Sequence, residues 1–533
     1  MASFVRISAL LWADLLASFA MYVMMNYLTN VWNLSTTHAA GIINIWNGIT
    51  PALVIVFAFF VDTFMGDFFM LGFSSISYSI GLGLLSMSTP PVLGPCHDYK
   101  EECIGHTQKI LFYITLPLIS VGMAGHVVSL PRFLDLQTKS ENGSGAETEE
   151  GTKIFIQIPA LVMVMVVTIV GGVGLPYIKP WSLRFGIPAI FSVVTTFLFF
   201  TGFREYERRK PGGSPLTTTL RVFVATARKI TQPIPNPEEL YNKEDAPSTS
   251  SLRFLNKAAI KLPGEQEQKK WKVCSVREVE DTKIGIRMIP MWLTFIVIGI
   301  VLSIGNTYFL EQADHMNRKL GKITVSIPIF LLFFNYTSHI FAHLYSPFAK
   351  KKFAPPIGIA TGMVFSILCC ITASKVETRR LHRIRDHGLL DNPDESIPMS
   401  IFALLPQFML LAAVDGITNM SISGFFMHQT PEPMHKYLPY FTKGVLGLGS
   451  MASVLSVYVV GKLSERNHKP NWFQYTLNKS RLDRYYMVLG VLSALNLVIY
   501  AIVAYCYRYK EPLVGDDNVE VEGGEMDQGF EEK

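Results

Sequence analysis

The feature that most restricts this chain is an apolar run of membrane-spanning length that recurs from one end to the other. About twelve such runs lie near 10–30, 39–61, 68–87, 110–130, 154–176, 182–202, 287–309, 324–345, 355–374, 400–422, 440–461 and 485–507. A bilayer core of about 30 Å needs about 20 apolar residues as a helix, and most of the runs reach that length. Backbone groups in lipid must be satisfied internally, so each run is expected to be a helix. The first run follows Arg6 but has no clear small-residue cleavage site and is followed at once by further spans, so it reads as a retained span.

Composition agrees, with 49% hydrophobic and only 17% charged residues. The net charge of +5 comes from basic residues between spans. Topology and lipid headgroups account for those, and no nucleic-acid partner is expected. Catalytic signatures are missing as well: the sequence holds no GxxxxGK phosphate loop, no HExxH and no GxSxG. Neither an enzyme nor a cofactor is expected. GLGLL at 81–85 and GLGS at 447–450 lie inside apolar runs, where glycine serves close helix packing.

A polar segment containing YERRKPGGSPL, TQPIPNPEEL and EQEQKKWK divides the runs six and six. The expected fold is therefore an all-α membrane protein, with two six-helix bundles that rock about a site at their interface, as in major-facilitator carriers. The boundaries read 1–202 for the N-terminal bundle, 203–286 for a cytosolic central loop, 287–509 for the C-terminal bundle and 510–533 for a disordered acidic tail. The basic central loop and AKKKF at 349–353 place both termini in the cytosol. Two basic stretches oppose that orientation, KVETRRLHRIRDHG at 375–388 and the 462–484 segment. Cys96 and Cys103 share the loop PCHDYKEECIG, as a disulfide on an oxidising side or as two free thiols. NLS at Asn33 and NKS at Asn478 are glycosylation sequons in loops placed outside.

Ionisable residues inside the runs carry the functional argument, because a charge at the bilayer centre costs about 2.5–3.5 kcal/mol and is kept for a cavity or a pathway. In the first run Asp14, Ser18, Tyr22 and Asn26 follow one another at four-residue spacing, on one slowly drifting helix face. That stripe lines a cavity or ties helices together. Asp415 lies in mid-run with Asn419 one turn on. A carboxylate in low dielectric is disfavoured in its ionised form, which suits it to accept and release protons. Asn306 and Glu311 close the seventh run, and Asn335, His339 and His343 share a face of the eighth. Histidine ordinarily changes charge within the physiological range.

Several stretches resemble the plant nitrate/peptide transporter family, the plant branch of the proton-coupled oligopeptide transporters. FFVDTFMGDF at 59–68 is similar to the family's loop after the second span, and ERRKPGGSPL at 207–216 to its central loop. SLRFLNKAAI, WKVCSVREVEDTKIGIRMIPMW, LLPQFMLLAAVDG, FFMHQTPEPM and LNKSRLDRYYMVLGVLSALN follow in the family's order. The departures bear on mechanism. DLLAS stands where a Glu-x-x-Glu-Arg motif is usual, so Asp14 alone is acidic, with Ala17 and Ser18 at the Glu and Arg positions. AGHVV puts Val127 at a usual lysine, Asp67 takes a loop arginine's place, and Leu302 stands where some nitrate carriers have histidine. Asp415 matches the acid of the tenth span. The lost Arg and Lys imply loss of the positive charges that would bind a carboxylate or nitrate.

The resemblance implies a secondary transporter of a small solute (nitrate, peptide, hormone or specialised metabolite) working by alternating access, with protons as the co-substrate where coupling is retained. An uncoupled facilitator and a non-transporting sensor or regulator are the alternatives. Expected substrate contacts are Tyr22, Asn26, Asn306, Asn335, Asp415 and Asn419; expected proton-coupling acids are Asp14 and Asp415; expected gating acids are Asp14 and Glu311. The partners are then the solute, protons and the lipid bilayer, in the plasma or vacuolar membrane. Oligomeric state is not legible.

Overall fold

The structure is a computed structural model that describes residues 2–96, 98–142, 162–233, 249, 251–261, 271–349, 354–393 and 395–507. Three sequence expectations fall outside those residues: the acidic tail 510–533, the lysines at 350–352, and most of the Pro-rich part of the central loop.

Apolar runs become helices throughout. Among the described residues nine helical stretches are long and apolar enough to cross a membrane, and one of them, Thr36–Met87, holds two successive runs. The other two runs correspond to the shorter Val162–Tyr177 and to Ile329–Ala349. In chain order the spans are Ala2–Tyr22 continued by Met24–Asn30, Thr36–Phe60, Gly66–Met87, His106–Asn142, Val162–Tyr177 and Trp181–Thr201 in the first half. The second half has Ile289–Ser303 continued by Tyr308–His315, Ile329–Ala349, Ala354–Asp386, Leu405–Gln429, Leu438–Ser464 and Leu482–Cys506. The fifth span carries a π-helical turn at Val170–Gly174, and another at Val61–Met65 separates the second span from the third.

Packing sorts the spans into two sets of six. The third packs on the fourth and sixth, the first on the sixth and fourth; in the second half the ninth packs on the tenth and twelfth, the eighth on the tenth and the seventh on the eleventh. The halves meet where the second span lies on the eleventh, where the eighth touches the π-helical turn of the fifth, and where Met24–Asn30 meets Tyr308–His315. The second and eleventh spans touch backbone to backbone: a Cβ on Gly48 would lie 2.6 Å from the Gly447 carbonyl oxygen. Small residues permit such close crossings in a membrane, where no hydrophobic force drives helices together.

Part of the central loop forms a small packed unit of its own. Pro215–Arg228, the 3-10 helix Arg253–Ala259 and Val276–Arg287 share a core of Val222, Leu255, Ala258, Cys274 and Val279. Ser275 and Glu278 form a capping box that starts the last of these helices, and Arg221 pairs with Glu278 across the unit. Burial pushes the Cys274 thiol up to about 11. The family-like SLRFLNKAAI and WKVCSVREVE stretches therefore build this unit.

Cys96 and Cys103 are bonded. The NKS sequon is corrected: Asn478 is 1% exposed, with its amide accepting from Arg380 and donating to the Leu389 carbonyl, so it is not available as a glycan acceptor in the folded protein. Asn33 is exposed, with its amide donating to Glu101.

Candidate functional site

Two polar constellations are set among the spans. In the first half, His126 of the fourth span has its Nδ1 2.8 and 2.9 Å from the two carboxylate oxygens of Asp14 on the first span. Its Nε2 lies 2.8 Å from the Ser75 hydroxyl of the third span. The ring is 3% exposed and meets Tyr78 edge to face. With a carboxylate at Nδ1, that nitrogen carries the proton, and Ser75 donates to a bare Nε2 or accepts from a protonated one. The imidazole can therefore hold one or two protons with the same partners in place. Asp14 is the half-exposed end of the chain of groups and His126 the buried end.

Sequence reasoning placed Asp14 on a polar stripe but missed His126, although both lay in quoted stretches. Val127, which stands at the usual lysine, packs in an apolar cluster with Val54, Met70 and Phe441. His126, the preceding residue, lies on another face of the fourth span, against Asp14. The stripe itself does not act as one surface: Ser18 donates back to the Leu15 carbonyl at 2.7 Å, and the helix is interrupted at Val23. Tyr22 is half-buried against the main core, and Asn26 is 4% exposed with neither amide atom hydrogen-bonded among the described residues.

In the second half Asp415 receives hydrogen bonds on both oxygens, from the Ser338 hydroxyl of the eighth span at 2.7 Å and from the Asn419 amide at 2.8 Å. Gly416 sets this register, because a Cβ there would meet the Ser338 carbonyl oxygen at 2.2 Å and the Ala342 nitrogen at 3.1 Å. His339 of the eighth span and Lys443 of the eleventh lie within electrostatic reach of this carboxyl group. Asn335 is exposed on the eighth span, as is Asn306 at the break in the seventh. Neither is bonded to Asp415. Basic side chains do occur inside the spans, His126 on the fourth and Lys443 on the eleventh.

Each end of the interface between the halves has its own latch. On the central-loop side Asp62 accepts from Arg132 at 2.9 Å, from the Tyr437 hydroxyl at 2.5 Å and from Lys436 at 2.8 Å. Tyr437 also bonds Ser214, and the Gly213 amide donates to the Asp62 carbonyl, so the PGGS stretch is fastened to this latch. Burial and the Asp62 carboxylate hold the Tyr437 phenol well above its ordinary range, so it remains a donor. On the opposite side the Thr29 hydroxyl donates to Glu311 at 3.2 Å, the Asn30 amide donates to Asp314 at 2.8 Å, and Tyr475 donates to the Asn33 carbonyl.

Glu311 is thus placed where the first and seventh spans meet, not at an open mouth. Behind it, Gln312 donates to Glu377 at 2.6 Å, and Glu377 holds Arg380 through two 2.8 Å bonds, with both side chains of the pair at 0% exposure. This pair explains part of the basic 375–388 stretch that opposed the charge-based orientation: Arg380 belongs to the protein interior. Among the described residues no group of three or more His, Cys, Asp or Glu side chains is arranged to hold a metal.

A mostly helical membrane protein, with only two short strand pairs at 316–324 and 397–400 among the described residues, whose two six-helix bundles enclose polar groups from both halves has the major-facilitator architecture. The chain belongs to the POT family, whose sequence signature spans residues 68–473. The Arabidopsis thaliana protein NRT1/PTR family 5.5 is 38% identical over 521 residues, covering 94% of this chain and 96% of that one. A crystal structure of an auto-inhibited POT family peptide transporter superposes with a TM-score of 0.63 at 14% identity, over 96% of this chain and 99% of that one. The POT family transporter PepTSo gives a TM-score of 0.63 at 13% identity, over 95% and 98%. These two likenesses carry the fold and nothing finer.

Proposed function

We propose that the protein is a secondary carrier that moves a small solute across a membrane by alternating access, with proton coupling through Asp14 and His126. The observation that carries this reading is the pairing of charged, hydrogen-bonded constellations inside the spans with separate latches at the two ends. Hydrogen bonds to charged groups contribute about 1.5–3 kcal/mol each. A latch of two or three such bonds holds one end shut yet yields to the energy of binding a solute. Asp62 and its partners serve the central-loop side; Glu311 with Thr29, and Asp314 with Asn30, serve the other.

In this reading Asp14 takes a proton from the accessible side and shares it with His126, which neutralises the negative charge of the pair without displacing Ser75. Asp415 and Asn419 contact the solute, with Tyr22, Asn26, Asn306 and Asn335 as further contacts on the transport path. A bonded Cys96–Cys103 pair suits a loop on an oxidising side, which supports a cytosolic central loop and cytosolic termini in this reading. Residues 1–202 and 287–509 are the two moving halves and 203–286 the cytosolic connection. Plasma and vacuolar membranes both satisfy this arrangement.

The test is uptake of nitrate, dipeptides, plant hormones and defence metabolites by oocytes at about pH 5.5 and about pH 7.5, with surface expression verified for wild type and Asp415→Asn. A solute that enters faster at the lower pH, with the variant impaired, is the expected outcome. Flux that ignores pH would make the protein a facilitator. No flux from surface-expressed wild type would favour a sensor or regulator.

A further inference from the structure

His315 ends the short helix Tyr308–His315, on the side of the interface opposite the central loop, and its ring is held at both nitrogens. Nδ1 lies 3.0 Å from the Pro393 carbonyl oxygen, and Nε2 lies 3.3 Å from a carboxylate oxygen of Glu311, one turn earlier. Carbonyl and ionised carboxylate oxygens accept hydrogen bonds and donate none. A neutral imidazole has one N–H and one bare nitrogen, so it can satisfy only one of these two partners. Both contacts are made when the pair holds one further proton, on the ring or on the Glu311 carboxyl group.

Glu311 is also the contact with the other half: its second oxygen accepts from the Thr29 hydroxyl at 3.2 Å. Its side chain is 3% exposed, and among the described residues His315 is the one cation within ion-pair distance of it. The other charges nearby are already paired. Asp314 has Arg318 at 3.3 Å, Glu377 has Arg380 at 2.8 Å, and Asp391, on the loop that carries Pro393, has Lys479 at 2.8 Å. Arg184 of the sixth span, within electrostatic reach of Asp314, donates to the Pro176 and Ile178 carbonyls. Of the segments packed on Tyr308–His315, Met24–Asn30, Met316–Asn317 and Ile401–Leu404 have no charged side chain, and Thr36–Phe60 brings only the exposed His38. The proton shared by Glu311 and His315 thus decides the charge at this contact between the halves.

We propose that Glu311 and His315 form a second proton-binding site, separate from Asp14 and His126, and that the proton it holds fastens the latch opposite the central loop. This deepens the carrier reading and rests on it. Loss of the proton leaves a bare ring nitrogen facing an oxygen lone pair, so either the Pro393 or the Glu311 contact is given up. Glu311 then carries an uncompensated charge where it meets Thr29, and this end loosens. Proton binding therefore favours the closed end, so closure strengthens as pH falls and weakens as it rises. A proton taken up on that side closes the way back behind a bound solute.

The experiment measures the distance between spin labels on the full-length protein in lipid nanodiscs. The labels sit at Lys109→Cys, at the start of the fourth span, and at Arg466→Cys, just beyond the eleventh; both positions are exposed, and the exposed native Cys506 is changed to Ser. One proton bound in the closed state alone changes the closed-to-open ratio by up to about tenfold per pH unit, so the parent protein should gain at least about fivefold from about pH 7.5 to about pH 5.5. His126→Gln, which removes the other titrating ring, should keep that gain, and His315→Gln should lose it. Glu311→Gln separates a proton site from a merely structural contact. Its amide can donate to a bare Nε2 while its oxygen still accepts from Thr29, so this variant should stay closed at both pH values. Closure in the parent protein that ignores pH, a parent-like gain in His315→Gln, or an end that is open at both pH values in Glu311→Gln overturns the proposal; the last decides alone if His315→Gln does not fold. The distance readout needs no solute, so it is independent of the uptake test. Proton-dependent closure in a protein that moves none of the solute panel keeps the site and removes the carrier, whereas pH-dependent uptake with closure indifferent to pH does the reverse.

Discussion

Replacing Arg380 tests how the end of the C-terminal half opposite the central loop is held. Its guanidinium makes four hydrogen bonds, two to Glu377, one to the Asn478 side chain and one to the Leu477 carbonyl, at 2.8–3.2 Å and with no exposure. Removing one member of a buried ion pair leaves the other charge uncompensated, at a cost of about 3–5 kcal/mol, whereas replacing both by apolar groups is often close to neutral. Arg380→Met should therefore strip Glu377 of its partner and weaken the Asn478 and Leu477 contacts in the same step. Glu377 also anchors Gln312, which in turn accepts from Gln407, so the loss reaches the turn that carries Glu311. The assay is thermal aggregation of purified protein followed by size-exclusion chromatography, on Arg380→Met, Glu377→Leu and the double variant. Each single variant should lose most of its folded fraction at temperatures the wild type survives, and the double variant should recover a substantial part. A double variant less stable than either single one would refute the reasoning, because the damage would then come from lost packing and not from an unpaired charge.

Three further expectations follow from particular contacts. His126→Gln retains a donor for Asp14 but cannot carry a second proton, so uptake should continue while its response to pH flattens; a variant with wild-type pH dependence would remove His126 from coupling. Gly416→Ala forces a Cβ to within 2.2 Å of the Ser338 carbonyl oxygen, whereas Gly83→Ala points into open space. The first should lose about 1–3 kcal/mol of stability and the second almost none, read as a difference in thermal midpoint. Because burial raises the Cys274 thiol to about 11, it is protonated at neutral pH and, being buried, should resist a membrane-impermeant maleimide in the native protein. Labelling of the native protein at that residue would show that the central-loop unit opens.

Much of the architecture was legible because each span is long enough to declare itself by composition alone. Boundaries were less so: the first span breaks at Val23, where no glycine or proline marks the interruption, and the seventh at residues 304–307, where Gly305 and Asn306 sit inside an otherwise apolar run. Asp14 and Asp415 were visible as acids in apolar runs. Asn419, one turn from Asp415, was visible too, but the distant partners were not, since His126 is 112 positions from Asp14 and Ser338 is 77 from Asp415. A motif comparison looks for charge at the usual positions, so Val127 read as a loss while the adjacent histidine supplied the base from another face. Lys443 stands near the start of its run, where a lysine reads as facing headgroups. The buried Arg380 likewise looked like one more cation of a basic stretch, because its Glu377 partner three residues earlier signals an ordinary surface pair.

A carrier working by alternating access exposes one solute site to the two sides of a membrane in turn. Trans-stimulation tests it directly: vesicles containing the protein are loaded with an unlabelled substrate, and entry of the labelled substrate is compared with entry into empty vesicles. A carrier working by alternating access should show faster labelled entry into the loaded vesicles, saturating with external concentration and reduced in Asp415→Asn. Entry that is unaffected by loading and fails to saturate would contradict the account.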